Sequence, residues 1–180
     1  MTQYILTGAP GAGKTTIILA LKQRGYPVVE EAATDVIAQA QAEGVDAPWE
    51  REDFVERIAL MQRRRRIASQ VGPQDTAFHD RSVVCTLALN QHFERNAPAI
   101  LIEEVEALKA DRAMSKTVFF IEDLGFIENT AARRISYEDS VAFGALHEAA
   151  YAAHGFRLAR IGAGPVDDRV TAILKLVDDT

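Results

Sequence analysis

The chain has 180 residues, of which 48% are hydrophobic, and this length and composition suit one folded domain over residues 1–180. Its 26 acidic and 20 basic residues give a net charge of -6, which argues against a nucleic acid as a general partner. The single cysteine excludes an internal disulfide, and no apolar run reaches the length of a membrane span. We therefore expect a cytoplasmic protein, monomeric or homodimeric, whose partner is a small molecule and not a nucleic acid or a membrane.

The first predicted strand, residues 3–7, leads into a glycine-rich loop and then into a helical pattern. The loop contains the motif G-x-x-x-x-G-K-T, and the residues expected to bind phosphate are Gly8, Ala9, Gly11, Ala12, Gly13, Lys14, Thr15 and Thr16. Its glycines let successive backbone N–H groups surround phosphate oxygens at the positive end of the helix. Lys14 is placed to reach the β- and γ-phosphates, and the Thr15 hydroxyl to ligate Mg²⁺. The motif therefore predicts a nucleotide site, with ATP and Mg²⁺ as the expected ligands.

A second strand is predicted at residues 27–30, and two acidic residues, Glu30 and Glu31, lie where it gives way to a helix. Ligands of open parallel sheets bind beyond the carboxyl ends of the strands, so a carboxylate here lies in the crevice of the phosphate loop. Glu31 could accept the proton of an attacking hydroxyl group. The alternative is an acidic residue that only complements the positive helix terminus.

Two candidate acceptor-binding residues lie in and before the third helix. Among the four consecutive arginines at 63–66, Arg65 falls on the apolar stripe of the helix and Arg63 lies opposite. A core-facing arginine needs an anionic partner, either a protein carboxylate or a phosphate of the acceptor. The second option favours a nucleoside monophosphate as acceptor. Trp49 is either a core residue or the apolar wall on which an acceptor ring rests.

The strand predicted at residues 76–79 ends in "FHDRS", an apolar strand followed by an acid, which is typical of a Walker B element. Asp80 is expected to hold Mg²⁺ or its water shell opposite Thr15, and Arg81 to face the acceptor or the phosphate. The alternative is an Asp80–Arg81 pair that caps the next helix. His79 is interpreted as a packed strand residue without chemistry.

A long polar loop at residues 123–136 is expected to form a lid, since long loops in compact domains often serve function. Arg133 and Arg134 lie at its end, just before Ser136 and Asp139, whose spacing predicts a capping box. An arginine brought over the β–γ bridge would offset charge that develops during phosphoryl transfer. A solvated basic turn is the alternative.

The remaining strands are predicted at residues 117–121 and 156–161. Short apolar runs thus alternate with helical segments along the whole chain. This alternation predicts an α/β fold in which helices wrap a parallel sheet.

The segments "ILTGAPGAGKTT", "RGYPVVEEAA", "FHDRS" and "ARRISYEDSVAFGALHEAAYAAHGF" together resemble the AAA-type P-loop family that includes the ribosylnicotinamide kinase domain of a bacterial NAD-biosynthesis regulator. More distantly, the chain is similar to nucleoside and nucleoside monophosphate kinases. The resemblance implies a three-layer P-loop NTPase fold with a parallel five-stranded sheet, helices on both faces and an arginine-bearing lid. It also implies that the phosphate-loop strand lies beside the Asp80 strand, and that "GAGPVDDR" forms a nucleotide-base loop.

In the similar deoxyribonucleoside kinases, an acid after strand two acts as the base and an acid-Arg-Ser triplet follows strand three. The resemblance implies these roles for Glu31 and for Asp80-Arg81-Ser82, with Asp in place of the usual Glu. A proline commonly precedes the base, and Glu30 stands at that position, so the choice between Glu30 and Glu31 stays open. The predicted function is an ATP-dependent kinase for a small nucleoside- or nucleotide-like acceptor. The alternative is an NTP-hydrolysing regulatory ATPase.

Overall fold

The computed structural model describes residues 2–69, 75–125 and 136–179, and within these ranges five strands form one parallel sheet. The strands are Thr2–Thr7 (β1), Val28–Val29 (β2), Thr76–Asp80 (β3), Met114–Ile121 (β4) and Arg157–Ile161 (β5). Their order in the sheet is β2-β3-β1-β4-β5, so the strand before the glycine-rich loop is flanked by β3 and β4. The predicted parallel five-stranded α/β fold is confirmed.

Helices cover both faces of this sheet. Across the described ranges they are Lys14–Gln23 (α1), Ala32–Ala42 (α2), Phe54–Ser69 (α3), Val83–His92 (α4), Ala99–Ala110 (α5), Tyr137–Ala153 (α6) and Val166–Asp178 (α7), with a short 3-10 helix at Pro48–Glu50. Neighbouring residues of β1 point to opposite faces, as expected for a strand. Ile5 packs in one core with α2 to α6, whereas Tyr4 and Leu6 pack in the other with α1 and α7. The result is a three-layer arrangement.

Two strands differ in length from the sequence prediction for a physical reason. β4 begins at Met114 and not at 117. Its first half contains the polar residues Ser115, Lys116 and Thr117, which are only partly buried or exposed, so it does not look like a strand in the sequence. β2 contains only two residues, since it lies at the edge of the sheet and pairs with β3 alone. Glu30 therefore lies beyond the sheet.

Two serines fix where the site helices begin. The Ser82 hydroxyl accepts a hydrogen bond from the Val84 N–H, 3.2 Å away, and caps α4. The Ser136 hydroxyl accepts a bond from the Asp139 N–H at 3.0 Å and caps α6, as the sequence predicts. Among the described helices, none combines the length and apolar character that crossing a membrane requires.

Candidate functional site

The glycine-rich loop connects β1 to α1 with three glycines at positive φ. The φ values of Gly8, Gly11 and Gly13 are 136, 85 and 85 degrees, a region that residues with a Cβ rarely adopt. A Cβ on Gly8 would collide with the backbone carbonyl oxygen of Ile121 in β4. The loop therefore wraps tightly against the sheet, with backbone N–H groups available for an anion.

The side chain of Lys14 folds back over this loop. It is 6% exposed, and its Nζ donates to the carbonyl oxygens of Gly8 at 3.2 Å and Ala9 at 2.8 Å. Burial, followed by the nearby charge of Arg81, lowers the pKa of Lys14 to about 7. A bound phosphate group would supply the anion that this ammonium lacks. Beside it, Ala12 is buried and Thr16 is exposed.

Asp80 ends β3 next to the loop, as the sequence predicts for a Walker B acid. The Thr15 hydroxyl lies 3.5 Å from Asp80 Oδ2, whereas the buried Oδ1 has no hydrogen-bond partner. Burial raises the pKa of the Asp80 carboxyl group. An unsatisfied carboxylate oxygen beside a hydroxyl fits a hard cation or its water shell. The described residues contain no cluster of three or more acidic, His or Cys side chains that could hold a metal alone, so phosphate oxygens would complete the coordination.

Arg81 has an unusual backbone conformation that points its side chain across the site. Its φ is 68 degrees, while its N–H still donates to the Leu6 carbonyl at 2.9 Å. The guanidinium Nε lies 2.8 Å from Glu31 Oε1, and another guanidinium nitrogen lies 3.2 Å from Nδ1 of His147. The side chain is therefore held between α2 and α6, at the end of β3.

Both acids after β2 line the cavity beside the loop, and Glu31 is the one that pairs with Arg81. Besides its ion pair with Arg81, it accepts a hydrogen bond from the Thr34 hydroxyl at 2.9 Å. Glu31 is the N-cap residue of α2, and its side chain makes no capping hydrogen bond to the helix backbone. The Glu30 carboxylate instead pairs with Lys22 at 2.8 Å on an exposed surface.

A large cavity opens beside these groups. Its volume is about 990 Å³, and Thr15, Glu31, Asp80 and Arg81 line it together with apolar side chains of α2, α3, α4 and α6. Trp49 lines the cavity and is 37% exposed, so it is not a core residue. The sequence pattern could not distinguish these two placements of the tryptophan.

The assignment of Arg65 to an acceptor phosphate needs correction. Its guanidinium forms an ion pair with Asp35 and donates to the Glu30 carbonyl at 2.8 Å, and the side chain does not line the large cavity. A protein carboxylate thus fills the position for which the sequence also allowed a phosphate. The more buried arginine is Arg66, which is 15% exposed and pairs with Glu104 at 3.0 Å.

The predicted lid arginines, Arg133 and Arg134, lie outside the described residues. The first residue of the 123–136 segment contacts the residue that follows the segment: the Tyr137 hydroxyl donates to Asp123 Oδ1 at 2.6 Å. This bond fixes the start of α6 against the end of β4.

Two buried residues at the loop were missed by the sequence analysis. Arg169 of α7 donates to the carbonyl of Ala12 at 2.8 Å and to that of Glu122 at 2.7 Å. It thus connects the phosphate loop to the end of β4. His147 contacts Arg81 from α6. Arg169 is the last residue of the predicted base loop "GAGPVDDR", whose second half forms the first turn of α7 and not a loop. His147 lies in the segment that carries the family resemblance, but no local pattern gives it a role.

The phosphate loop, the acidic strand end beside it and the strand order β2-β3-β1-β4-β5 define a P-loop NTPase fold of the kinase type. The AAA domain family matches residues 3–169, and the chain belongs to this family. A search of curated proteins found no matching sequence.

Solved structures with a similar fold include small-molecule kinases. The NadR protein in complex with NAD and AMP-PNP is 17% identical with a TM-score of 0.69, covering 98% of this chain and 49% of that one. Deoxyadenosine kinase from M. mycoides with bound dATP is 13% identical with a TM-score of 0.59, covering 99% and 100%. Shikimate kinase from Acinetobacter baumannii in complex with shikimate is 16% identical with a TM-score of 0.56, covering 99% and 94%. The chain thus spans about half of the NadR chain, and these identities show the fold alone.

Proposed function

We propose that this protein is an ATP-dependent phosphotransferase that moves the γ-phosphoryl group to a hydroxyl of a small, nucleoside-like acceptor. The observation that carries the proposal is the Glu31–Arg81 ion pair at 2.8 Å, which lines the same cavity as Thr15 and Asp80. A base for the acceptor and the residues for the nucleotide therefore share one space, as a direct transfer requires.

The proposed roles follow from the chemistry of each group. The phosphate loop and Lys14 hold the β- and γ-phosphates, and Arg81 orients Glu31. Thr15 and Asp80 would hold Mg²⁺, which would offset negative charge on these phosphates when bound. Arg133 and Arg134 are proposed to offset charge on the transferring group.

The proposed transfer exchanges one bond at the γ-phosphorus for another. The acceptor oxygen forms a bond to the γ-phosphorus while the bond from that phosphorus to the β–γ bridging oxygen breaks. The electron pair of the broken bond stays on the β-phosphate of ADP, and the hydroxyl proton passes to the Glu31 carboxylate. A phosphate acceptor is already ionised near neutral pH and would need no such base, so Glu31 favours a hydroxyl.

The charge of the cavity also supports an acceptor without a phosphate group. Five of the described residues that line it carry a carboxylate, and Arg81 is the single Lys or Arg among them. That guanidinium is already paired with Glu31. Glu30 and Asp35 are also paired, with Lys22 and Arg65, whereas no ion pair joins Asp80 or Asp139 among the described residues. Because like charges repel, these two carboxylates disfavour a phosphomonoester in the cavity. An uncharged or cationic ring compound replaces the monophosphate that Arg65 suggested, and Trp49 offers it an apolar face.

The test is a transfer assay with γ-labelled ATP, Mg²⁺ and a panel of nucleosides, their monophosphates and shikimate. We expect label in an ester of an unphosphorylated nucleoside-like compound. Label in a nucleoside diphosphate would show that the acceptor is a nucleoside monophosphate. Release of inorganic phosphate alone, unchanged by every acceptor, would favour the alternative function, a regulatory ATPase in which water takes the acceptor position.

A further inference from the structure

One face of α6 runs along the whole candidate site. Ser140, Gly144, His147 and Tyr151 are spaced by four, three and four residues, so they share one side of the helix. All four are buried, and none was predicted from the sequence to have a role. We call these four residues the α6 stripe.

The first half of the α6 stripe contacts the phosphate loop. The Ser140 hydroxyl donates to the carbonyl oxygen of Pro10 at 2.6 Å. At Gly144, the helix approaches so closely that an added Cβ would lie 3.2 Å from Cβ of Ala9. A shift of α6 would therefore displace the phosphate loop.

The second half contacts the residues that follow β3. The Tyr151 hydroxyl lies 2.7 Å from the Ser82 hydroxyl and 3.3 Å from the Cys85 sulfur. Ser82 directly follows Asp80 and Arg81 and caps α4. The same helix face thus holds both the phosphate loop and the strand end.

His147 lies between these two sets of contacts. Its Nδ1 lies 3.2 Å from the Arg81 guanidinium, and the helix that carries its ring bonds the phosphate loop through Ser140. A guanidinium can only donate, so Nδ1 must keep its lone pair and the ring proton belongs on Nε2. Burial, followed by the charges of Arg81 and Lys14, lowers the pKa of His147 to about 2, which agrees with a neutral ring.

Arg81 depends on its partners for its conformation. Its φ of 68 degrees is a strained backbone conformation for a residue with a Cβ. The ion pair with Glu31 and the bond to His147 help to hold the guanidinium in this direction, together with the neighbouring Cys85 side chain. Without His147, the guanidinium could turn and take the Glu31 carboxylate with it.

We propose that His147 is a positioning residue that sets the distance between the phosphate loop and the Glu31–Arg81 pair. Through Arg81 it fixes the carboxylate that receives the acceptor proton, and the helix that carries it is bonded to the phosphate loop between Ser140 and the Pro10 carbonyl. The effect on transfer rests on the proposed kinase function, whereas the positioning itself is a structural claim that can be measured separately.

Three substitutions separate the contributions of the two ring nitrogens of His147. His147→Asn keeps an oxygen near the place of Nδ1 and can still accept from Arg81, His147→Gln keeps an N–H near the place of Nε2, and His147→Leu keeps neither. We expect His147→Leu to lower kcat by about 10- to 100-fold, because small misplacements of reacting groups are that costly. His147→Asn should recover more of kcat than His147→Gln, and the control His154→Gln at the end of α6 should match wild type. Equal kcat values for the Asn and Leu variants would overturn the proposal. If the Leu variant does not fold, the kcat values of the Asn and Gln variants are compared, and a value for Asn that is no higher than that for Gln would overturn it.

A double-mutant cycle tests whether His147 acts through Glu31. If it does, adding His147→Leu to a Glu31→Gln protein should change kcat by less than about threefold, since the base that it positions is already lost. Multiplicative losses in the double variant would show independent action and would overturn the proposal.

A measurement without turnover separates the proposal from the proposed function. In ¹⁵N-labelled protein, NMR should show His147 with a bare Nδ1 and a proton on Nε2, and a slowly exchanging Arg81 Nε–H that is lost in His147→Leu. A proton on Nδ1, or an unchanged Arg81 signal in that variant, would overturn the positioning role. Failure of every acceptor in the transfer assay, with these signals as expected, would reject the kinase function alone.

Discussion

Lys14 and Asp80 are ionisable side chains whose burial works against their charged forms. Burial lowers the pKa of Lys14 and raises that of Asp80, although the two opposite charges partly offset these shifts by attracting each other. The site therefore holds charges that the ligand-free fold does not favour. This is expected of groups that meet their partners only when nucleotide and cation bind.

Lys14→Met should remove function with little change in stability. The apolar side chain relieves the burial of an ammonium but loses two hydrogen bonds to the loop and the attraction of Asp80, so the melting temperature of the ligand-free protein should change little. Phosphoryl transfer should fall by more than about 100-fold, the usual weight of an electrostatic contact to the moving group. The control is Lys22→Met, an exposed lysine paired with Glu30, whose turnover should be unchanged. Normal turnover in a folded Lys14→Met protein would refute the phosphate-loop mechanism.

Asp80→Asn should change the metal dependence of the reaction. The amide keeps the shape of the side chain but loses the charge beside Thr15, so more Mg²⁺ should be needed for half-maximal activity. Glu31→Gln is the matched control, because it should lower the maximal rate and leave the Mg²⁺ requirement unchanged. Mg²⁺ titrations of both variants check this prediction. Equal metal responses would mean that Asp80 does not serve the metal while Glu31 serves as the base.

The sequence identified the residues of local motifs but could not choose between neighbours. The phosphate loop and Asp80 follow from spacing and flanking strands, since their function needs a fixed local backbone. The position of Glu30 and Glu31 depends on where a two-residue strand ends, and the ion pair of Arg81 with Glu31 is the contact on which our proposal of Glu31 rests. That contact joins residues 50 positions apart, which no local pattern contains.

At the scale of elements, the buried polar residues of α3 and of α6 were hard to predict from the sequence for different reasons. On α3, the stripe through Phe54 predicts a buried Arg65, whereas the C-terminal half of the helix buries Arg66 against Glu104 and Asp111 of α5 and its end. A single helical period cannot show which neighbour a helix will meet. On α6, a serine, a glycine, a histidine and a tyrosine form no apolar stripe, and only the packed loop explains them.

Gly144→Ala tests the contact between α6 and the phosphate loop. The added methyl group would press on Ala9 at 3.2 Å, and we expect ATP binding to weaken by about tenfold, the effect of roughly 1–2 kcal/mol of overpacking. Ala9→Gly in the same chain removes the facing methyl group and should restore most of the affinity. Calorimetric titration with a non-hydrolysable ATP analogue measures both. An unchanged affinity in Gly144→Ala would show that the loop does not depend on this contact.

At the scale of the whole molecule, the cavity is built by elements from distant parts of the chain. Glu31 precedes α2, Trp49 lies in the 3-10 helix, Asp80 ends β3 and Phe143 belongs to α6. The parallel sheet brings them together because ligand-binding residues gather beyond the carboxyl ends of its strands. The fold class was predictable for this reason, whereas the size and charge of the cavity required the packed helices.

Trp49→Ala should affect the acceptor and not the fold. The side chain is 37% exposed and lines the cavity, so its removal should change the free energy of unfolding by less than about 1 kcal/mol. Binding of the accepted compound should weaken by about tenfold or more through the loss of an aromatic face. Leu176→Ala, an apolar residue of similar exposure on α7, is the control. A large fall in melting temperature with intact acceptor binding would assign Trp49 to the core.

The destination of the γ-phosphoryl group in a single turnover tests the central claim most directly. Enzyme in excess is mixed with γ-labelled ATP, Mg²⁺ and the acceptor panel, and the label is separated into organic ester and inorganic phosphate. The account predicts ester formation by the wild-type protein, and a rate of ester formation about 10²–10⁴-fold lower in Glu31→Gln with ATP still bound. Label found in inorganic phosphate alone, at the same rate in both proteins, would contradict it.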